Sequence, residues 1–293
     1  MRLKDQLIRI VTETGNLRGV ACSATSLAQE ACRRHRTSPT ASVALGRALV
    51  GGALMGALLK GDQRVALKFG GNGPIRKILV EAEADGAVCG YPGNPEADLP
   101  PKGNRFDVAG LLGHAGLLTV TKDLRLKEPY AGTVQLMTSE IGEDLAYYLT
   151  ESEQIPSAVG LGVLLGQDLG VVSAGGFLIQ ALPPAEEAAI ERITSRMGDM
   201  PSIPEMACGE EGPRRILEHL FRDIPFEVLE ERPVFFQCHC SLERMQKALA
   251  ALGAEEIASL AREGQAITVR CDFCGETYRI ESENLKGLGE IPH

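Results

Sequence analysis

The sequence predicts an α+β protein: an N-terminal domain of antiparallel-rich sheet with helices, a helical linker, and a small C-terminal domain of helices and a β-hairpin. Short alternating apolar segments, separated by glycine-rich turns, fill the first part of the 293-residue chain, as is typical of antiparallel sheets. Pro183-Pro184 then introduces an acidic stretch with helical apolar spacing. Two closely spaced cysteine pairs follow near the C-terminus. These observations predict three domains, at residues 1–182, 183–232 and 233–293.

The strand predictions rest on period-two alternation bounded by turn residues. The predicted strands cover residues 2–14, 20–24, 65–69, 75–84, 87–91, 117–126, 133–137, 158–165 and 171–182. Short turns join the third, fourth and fifth strands, which predicts a meander rather than a strand–helix–strand unit. The last two strands predict a long apolar hairpin.

Three helices are predicted between these strands, at residues 25–34, 38–60 and 140–152. Thr25 or Ser26 is the expected N-cap of the first helix. Ser38-Pro39 begins the second helix, because a capping residue followed by proline is a typical helix start. Small residues such as Gly52 and Gly56 in the second helix permit close approach of another backbone.

The turn at residues 70–74 reads Gly-Gly-Asn-Gly-Pro, which raises the question of phosphate binding. A phosphate-binding loop requires a following Gly-Lys-Ser/Thr and a helix that begins at the loop. Neither is found here, so we do not expect nucleotide binding.

Composition argues against nucleic acid as a partner. The net charge is −9, tryptophan is absent and aromatic residues make up only 4% of the chain. Lys+Arg and Asp+Glu number 18 and 18 in residues 1–182, 6 and 12 in residues 183–232, and 6 and 9 in residues 233–293. Binding to a phosphate backbone needs clustered Lys and Arg, and the acidic C-terminal part offers the opposite.

No signal peptide is recognisable at the N-terminus. Residues 43–59 are strongly apolar, but the segment is short for a membrane span and contains Arg47, so we interpret it as a buried helix and expect no membrane association. A long chain without an export signal does not match a secreted disulfide framework. We therefore expect the eight cysteines to be kept reduced and the protein to be cytoplasmic.

Residues 185–232 predict one or two helices with little independent stability. Ala189, Ile190, Ile193 and Met197 give a thin apolar stripe. The following stretch, residues 200–213, contains three prolines and few apolar residues. We expect this linker to be ordered only where it docks.

Cys238-x-Cys240 and Cys271-x-x-Cys274 form the strongest motif in the sequence. Four thiolates in two pairs match the tetrahedral coordination that Zn²⁺ prefers, and a Cys₄ set leaves no position for a catalytic water. The motif predicts one structural zinc ion per chain in the reduced state. The side chain of His239, between two predicted ligands, is expected to point away from the metal.

The predicted zinc domain contains helices at residues 241–252 and 254–263 and a hairpin formed by residues 266–270 and 276–280. So small a domain depends on its metal for folding. Thiolates are the reactive form of cysteine, and each ligand has a neighbour close enough for a disulfide: Cys238 with Cys240, and Cys271 with Cys274. Oxidation would remove the ligands and the fold, which describes a redox switch.

The two cysteine pairs, the Gly71-Asn72-Gly73-Pro74 turn and the Glu-Ser-Glu-Gln-Ile-Pro-Ser segment at residues 151–157 with its preceding Tyr147 resemble the thirty-three-kilodalton heat-shock protein family. The resemblance covers the whole chain. It implies a redox-regulated, ATP-independent holdase chaperone of the bacterial cytoplasm, with an N-terminal α/β domain, a helical linker and a zinc domain. It also implies that oxidation forms disulfides, releases zinc and promotes homodimerisation, and that the partners are unfolding client proteins.

Two alternatives remain. Cys271 and Cys274 would serve a thiol-disulfide oxidoreductase, although that motif normally begins a helix after a strand. A zinc-ribbon protein that binds nucleic acid is the second alternative. No other catalytic set is recognisable, so we do not expect an enzyme. The client surface is left open between the hairpin faces at residues 163–179 and the linker, and Cys208 in the linker is a candidate for oxidation.

Overall fold

The computed structural model describes residues 4–184, 187–250 and 266–281. Its contacts form two compact units, residues 1–237 and 238–293. The predicted α+β class is confirmed. The three-domain division stays a prediction, because contacts between residues separate the chain into two units and do not test the boundary at residue 182.

The first unit contains two sheets. Its strands are β1 (Gln6–Thr12), β2 (Leu17–Ser23), β3 (Arg64–Gly71), β4 (Lys77–Glu83), β5 (Ala87–Pro92), β6 (Gly116–Asp123), β7 (Tyr130–Gln135), β8 (Ser157–Leu165), β9 (Val171–Ala181), β10 (Phe226–Pro233) and β11 (Phe235–Phe236). The five-stranded sheet has the order β10-β1-β2-β9-β8, and the six-stranded sheet has the order β11-β5-β4-β3-β6-β7. All neighbours are antiparallel except β11 and β5. The predicted meander and apolar hairpin are confirmed.

The helices of the first unit are α1 (Thr25–His35), α2 (Pro39–Gly56), α3 (Val108–Leu112), α4 (Gly142–Glu151), α5 (Glu187–Gly198), α6 (Ile203–Met206) and α7 (Gly212–Leu220). Helix α2 packs against strands of both sheets, so nearly all of its residues are buried. Ser38 caps it as predicted, because its side chain accepts a hydrogen bond from the Ala41 N–H. The helix ends at Gly56 rather than near residue 60. Among the helices described, none is both long and apolar enough to cross a membrane.

Small residues allow α2 to lie between the sheets. A Cβ added to Gly52 would stand 2.5 Å from Val80 Cγ1 of the six-stranded sheet. One added to Gly46 would stand 2.8 Å from Val163 Cγ2 of the five-stranded sheet. These separations are far below van der Waals contact, so the glycines set how closely the layers approach.

The N-cap prediction for α1 is wrong. The residue at the cap position is Ala24, which makes no side-chain capping bond. The N-terminus of α1 is instead bound by Asp5, which precedes β1 and accepts a hydrogen bond from the Leu27 N–H at 2.7 Å. A carboxylate placed by another element satisfies the free N–H groups and the helix dipole equally well, but sequence spacing does not reveal it.

In the turn at residues 70–74, backbone N–H groups donate hydrogen bonds to backbone carbonyls outside the turn. The N–H groups of Gly71, Asn72 and Gly73 donate to the carbonyls of Arg76, Ala115 and Leu112. No N–H of these three residues is left to bind a phosphate, in agreement with the absence of a phosphate-loop motif.

The segment after α4 is held by polar contacts. Glu153 forms a largely buried ion pair with Lys122 of β6. The Ser157 hydroxyl donates to the Ile155 carbonyl at 2.7 Å and accepts from Gln180 Nε2 at 3.2 Å. These contacts fix the chain between α4 and β8, which gives the conspicuous motif at residues 151–157 a structural role.

The predicted linker contains three helices and also a strand. Residues 226–233 form β10, which pairs with β1, so the expectation of helices alone is wrong there. Beyond Pro233, β11 adds in parallel to β5, with Phe235 opposite Ala87 and Phe236 opposite Val88. Residues 226–236 therefore extend both sheets of the first unit, a pairing that local sequence cannot disclose.

The second unit contains α8 (Leu242–Ala250), β12 (Ile267–Arg270) and β13 (Thr277–Ile280). The two strands form the predicted hairpin, with Ile267 opposite Ile280. The helix predicted at residues 254–263 lies outside the described residues.

Candidate metal centre

The four cysteines of the two predicted pairs lie together. The Sγ atoms of Cys238, Cys240, Cys271 and Cys274 all lie within 4.8 Å of one another. The Sγ atoms of Cys238 and Cys271 are 3.8 Å apart, and those of Cys240 and Cys274 are 3.3 Å apart. The two halves of the motif, thirty residues apart in sequence, thus form one cluster.

Cys271 and Cys274 are positioned by the turn between β12 and β13. The Cys271 N–H donates to the Glu276 carbonyl at 2.9 Å, and the Gly275 N–H donates to the Cys271 carbonyl at 2.8 Å. Gly275 has φ +73°, a conformation that residues with a Cβ seldom adopt. The backbone N–H groups of Phe273 and Cys274 point at the Cys271 thiol. A turn that directs N–H groups at sulfur stabilises thiolate ligands.

Cys238 and Cys240 precede α8. The Ser241 hydroxyl accepts a hydrogen bond from the Arg244 N–H at 3.2 Å at the start of this helix. The Arg244 guanidinium donates to the His239 carbonyl at 2.7 Å. The chain carrying the two thiols is therefore fixed by the first turn of α8. His239 is exposed and is not among the clustered ligands.

The thiols differ in acidity. Burial raises the pKa of Cys271 to about 11 and also raises the pKa of Cys274. Burial acts in the same direction on Cys240, but hydrogen bonding with Tyr278 and the neighbouring thiols outweighs it and lowers the Cys240 pKa. The Tyr278 hydroxyl lies 3.1 Å from Cys240 Sγ. Tyr278 is the site residue that sequence reasoning missed, and its place opposite Val269 in the hairpin is the only signal that could have indicated it.

The cluster fits a tetrahedral metal ion. At a Zn–S distance of about 2.3 Å, tetrahedral geometry separates the sulfurs by about 3.8 Å. Cys238 Sγ and Cys271 Sγ have this separation, and Cys240 Sγ and Cys274 Sγ are closer, at 3.3 Å. An all-sulfur ligand set favours a soft ion and leaves no open coordination position. The four cysteines can thus hold a metal, and their chemistry fits zinc.

The first unit carries a second feature, an apolar surface covered by the linker. One face of the five-stranded sheet and helices α5, α6 and α7 share an apolar cluster that we call the outer cluster. Its buried members are Ile8, Ile10, Leu17, Ala21, Phe177, Ile179, Ala181, Ala189, Ile193, Ala207, Ile216, Leu217, Leu220, Phe221 and Ile224. The linker members of this cluster, from Ala189 to Ile224, cover its sheet members, from Ile8 to Ala181. Part of the hairpin considered as a client surface, Phe177 and Ile179, therefore lies beneath the linker.

The fold and the site define an α+β protein with a four-cysteine cluster that can hold a metal ion and an apolar face covered by a linker. The chain belongs to the Hsp33 family of chaperones, whose family model, described as Hsp33 protein, matches residues 5–281. The resemblance noted in the sequence is confirmed.

Curated relatives and a solved structure agree. The chain is 56% identical to the 33 kDa chaperonin of Geobacter sulfurreducens, over 98% of this chain and 95% of that protein. It is 50% identical to the 33 kDa chaperonin of Desulfotalea psychrophila, over 98% and 97% of the two chains. The crystal structure of the 33 kDa chaperonin (heat shock protein 33 homolog) from Thermotoga maritima matches with a TM-score of 0.88 at 35% identity, over 98% of each chain.

Proposed function

We propose that this protein is a redox-regulated, ATP-independent holdase of the cytoplasm that binds unfolding proteins under oxidative stress. The reduced chain holds one zinc ion through Cys238, Cys240, Cys271 and Cys274 and is inactive. Its role is binding rather than catalysis, and its activated form is a homodimer. The three functional parts are residues 1–182 as the chaperone core, 183–232 as the linker and 233–293 as the switch.

The observation that carries the proposal is the outer cluster. Unfolding clients expose apolar segments, so their acceptor must expose apolar surface. A covered apolar face gives the molecule such a surface in reserve. The cover is acidic, and α6 is only four residues long (Ile203–Met206). Helices of this kind depend on docking for their order.

The switch step is the oxidation of thiols. For each disulfide, two cysteine thiolates give up two electrons and form one S–S bond, and one molecule of hydrogen peroxide takes up these electrons with two protons from the solvent and becomes two molecules of water. When bound, zinc supplies the cross-link that keeps the second unit folded. Disulfides consume the sulfurs that serve as ligands, so residues 238–293 lose that cross-link and the linker that leads into them loses its anchor.

The proposed disulfides are Cys238–Cys240 and Cys271–Cys274. Since all four sulfurs lie within 4.8 Å of one another, either these pairs or the crosswise pairs are within reach in the folded cluster. Unfolding of the domain favours partners that are close in sequence, because closing a short loop costs less entropy. Mass spectrometry of proteolytic fragments from the oxidised chain distinguishes the two pairings.

The thiol-oxidoreductase alternative has little support. Cys271 and Cys274 lie in the turn of a β-hairpin, whereas a redox-catalytic motif of this spacing begins a helix. Turnover in an insulin-reduction assay would revive that alternative.

The decisive experiment follows zinc release and client protection together. We expect the reduced protein to contain about one zinc ion per chain and to leave heat-denatured citrate synthase unprotected. Peroxide with mild heat should release the zinc, increase binding of an apolar dye and suppress aggregation of the client. Size-exclusion chromatography reports the dimer. Client protection with zinc still bound would contradict the proposed switch.

A further inference from the structure

Strand β10 covers the edge of the five-stranded sheet, and this edge is a candidate binding site. Among the strands that the structure describes, β10 is the outermost of its sheet and pairs only with β1, from Gln6 opposite Pro233 to Thr12 opposite Phe226. We propose that the edge of β1, once β10 has left it, binds an extended segment of an unfolding client by strand addition. The proposal rests on the function proposed above and names how the client is held.

β10 is attached through its backbone, through its charges and, at its first residue, through Phe226, whose ring packs on Phe221. None of its residues is buried, whereas four of the seven residues of β1 are. Glu230 pairs with Arg9 at 3.0 Å, and Glu231 pairs with Arg214 of α7 at 2.6 Å. The ladder is interrupted by a register shift at Arg9/Ile10, and Leu229 is 51% exposed. Strands with few buried contacts and exposed hydrogen bonds open at low free energy.

β10 also connects the linker to the switch. Helix α7 leads into it, and β11 and then Cys238 follow it directly. The Arg214–Glu231 ion pair joins α7 to β10. Undocking of the linker therefore removes a partner of β10 on one side, and loss of the metal cross-link frees the chain on the other.

β10 and β1 differ as sheet edges. β10 presents Glu227, Glu230 and Glu231, and charges of this kind prevent pairing with foreign strands. β1 reads Gln-Leu-Ile-Arg-Ile-Val-Thr, with Arg9 as its only charged residue. An apolar strand with an unpaired backbone is a template for another extended chain. Ladder hydrogen bonds are indifferent to side-chain identity, so such an edge accepts clients of many sequences.

The side chains that flank the vacated edge fit an apolar partner. Ile8 and Ile10 of β1 point into the outer cluster, whereas Leu7 points into the core on the other side of the sheet. When β10 and the linker helices leave, an added strand meets two apolar neighbours on the outer face in the middle of β1, Ile8 and Ile10. The expected occupant is an extended segment with alternating apolar side chains.

A peptide comparison tests the proposal. The full-length protein is first loaded with zinc, is then activated by peroxide, and is finally mixed with a peptide probe. The probe is a fluorescent peptide of alternating valine and threonine, as long as the 7 residues of β1. One derivative is N-methylated on the amides of one edge, and a second is N-methylated on both edges. The first derivative keeps one edge for pairing and controls for the added methyl groups.

We expect the unmodified and singly blocked peptides to bind alike, and the doubly blocked peptide to bind at least roughly tenfold more weakly, because several ladder hydrogen bonds of about 1 kcal/mol each are lost. Equal binding of all three peptides would overturn the proposal, since an apolar face alone does not require amide groups. If the activated protein fails to protect heat-denatured citrate synthase, the proposed function fails first and the edge proposal with it.

A locked variant gives a second test. Arg9 and Glu230 are opposite each other across β1 and β10, so the double substitution Arg9→Cys/Glu230→Cys places two thiols where a disulfide can join the strands under oxidation. The matched control is Arg64→Cys/Asp123→Cys, a cross-strand ion pair between β3 and β6. With equal zinc release, the first variant should lose client protection and the control should keep it. Full protection by the first variant with its disulfide formed would contradict the proposal.

Hydrogen exchange identifies the occupant of the edge. The β1 amides that face β10 should be protected in the reduced protein, exchange after activation, and become protected again when client is added, whereas the β1 amides that face β2 should stay protected. Amides of the central strand β4 should stay protected throughout. If protection of residues 6–12 returns without client and increases with protein concentration, a second copy of the chain occupies the edge and the client proposal is wrong.

Discussion

The two faces of the five-stranded sheet are both apolar but are covered in different ways. The inner face packs on α2, a buried helix held between two sheets. The outer face packs on α5, α6 and α7, which come from the acidic linker and contact only one sheet. Similar side chains of one sheet thus have a cover held between two sheets on one side and, on the other, the linker cover that the proposed switch removes.

The difference lies in how each cover is anchored. Glycines in α2 allow backbone approach to both sheets, so the helix cannot leave without separating the layers. The outer helices pack on the five-stranded sheet, and in the chain they are followed by β10, β11 and the cysteine-bearing segment. Under the proposed function, stability against unfolding depends on the inner face of the sheet, and opening takes place at the outer face.

Removing the metal ligands should give the largest effect. Cys238→Ser/Cys240→Ser eliminates two of four ligands, and structural zinc supplies on the order of 10–16 kcal/mol of apparent folding free energy in small domains. We expect loss of zinc, unfolding of residues 238–293 and client protection that no longer depends on peroxide, measured by metal content and aggregation assays. Cys208→Ser is the matched control, since Cys208 is exposed and outside the cluster. An equal effect of that substitution would show that the four-cysteine cluster is not what controls activation.

Truncating one leucine on each face tests the comparison directly. Leu217 of α7 and Leu49 of α2 are both almost fully buried, and each change to alanine should cost about 2–5 kcal/mol. Leu217→Ala should increase apolar-dye binding by the reduced protein at temperatures well below unfolding. Leu49→Ala should lower the melting temperature without dye binding before the transition. The same dye profile for both variants would show that the faces are not independent.

Filling the helix–sheet contact should reduce stability to a smaller extent. Gly52→Ala forces a methyl group against Val80, and overpacking of this kind costs about 1–3 kcal/mol. Chemical denaturation measures the loss. The control is Gly198→Ala at the end of α5, where an added Cβ meets no atom within 4 Å; its midpoint should be unchanged or slightly higher.

Asp5 joins the N-terminus of α1 to the start of β1, and its substitution should make a pH-dependent difference to the free energy of unfolding. Burial raises the pKa of Asp5 above its ordinary value of 3.8, even though backbone N–H groups of Leu27, Ser26 and Thr25 oppose the shift. The folded chain therefore keeps this proton where the unfolded chain has released it, and the free energy of unfolding falls as pH rises through that window. Asp5→Asn keeps an accepting oxygen and removes the proton. Its stability relative to the parent should increase with pH in denaturation series; a constant difference would contradict the shift.

The smallest effect is expected at the edge of the linker cover. Glu230→Gln breaks the Arg9 pair, in which both side chains are partly exposed, and such pairs contribute about 0.2–1 kcal/mol. The variant should activate at slightly lower peroxide concentration, and added salt should reduce its difference from the parent. The control is Glu243→Gln, which breaks an exposed pair with Lys247 within α8. It leaves β10 untouched and should not change the peroxide concentration needed for activation.

Local patterns in the sequence predict the meander, the apolar hairpin, the Ser38 cap and the four clustered cysteines, because each depends on residues that are near in sequence or on strict ligand chemistry. The errors arise where partners are distant. Asp5 caps a helix from another element, and β10 pairs with a strand at the other end of the unit. Tyr278 reaches the thiols only because the hairpin register places it there. The alternation of apolar and polar residues does not predict β10, because its several charged residues are more typical of an exposed linker.

The ladder between β1 and β10 also bears on how the protein resets. In the proposed switch β1 stays in the folded sheet, so β10 re-forms this ladder only after the undocked linker between β9 and β10 has folded back with its three helices. Zinc rebinding at residues 238–274 needs only a short loop to close. Once a thiol reductant has supplied two electrons and two protons to each disulfide, the metal centre should therefore recover before the sheet edge is covered, and client binding should outlast the oxidant for some time.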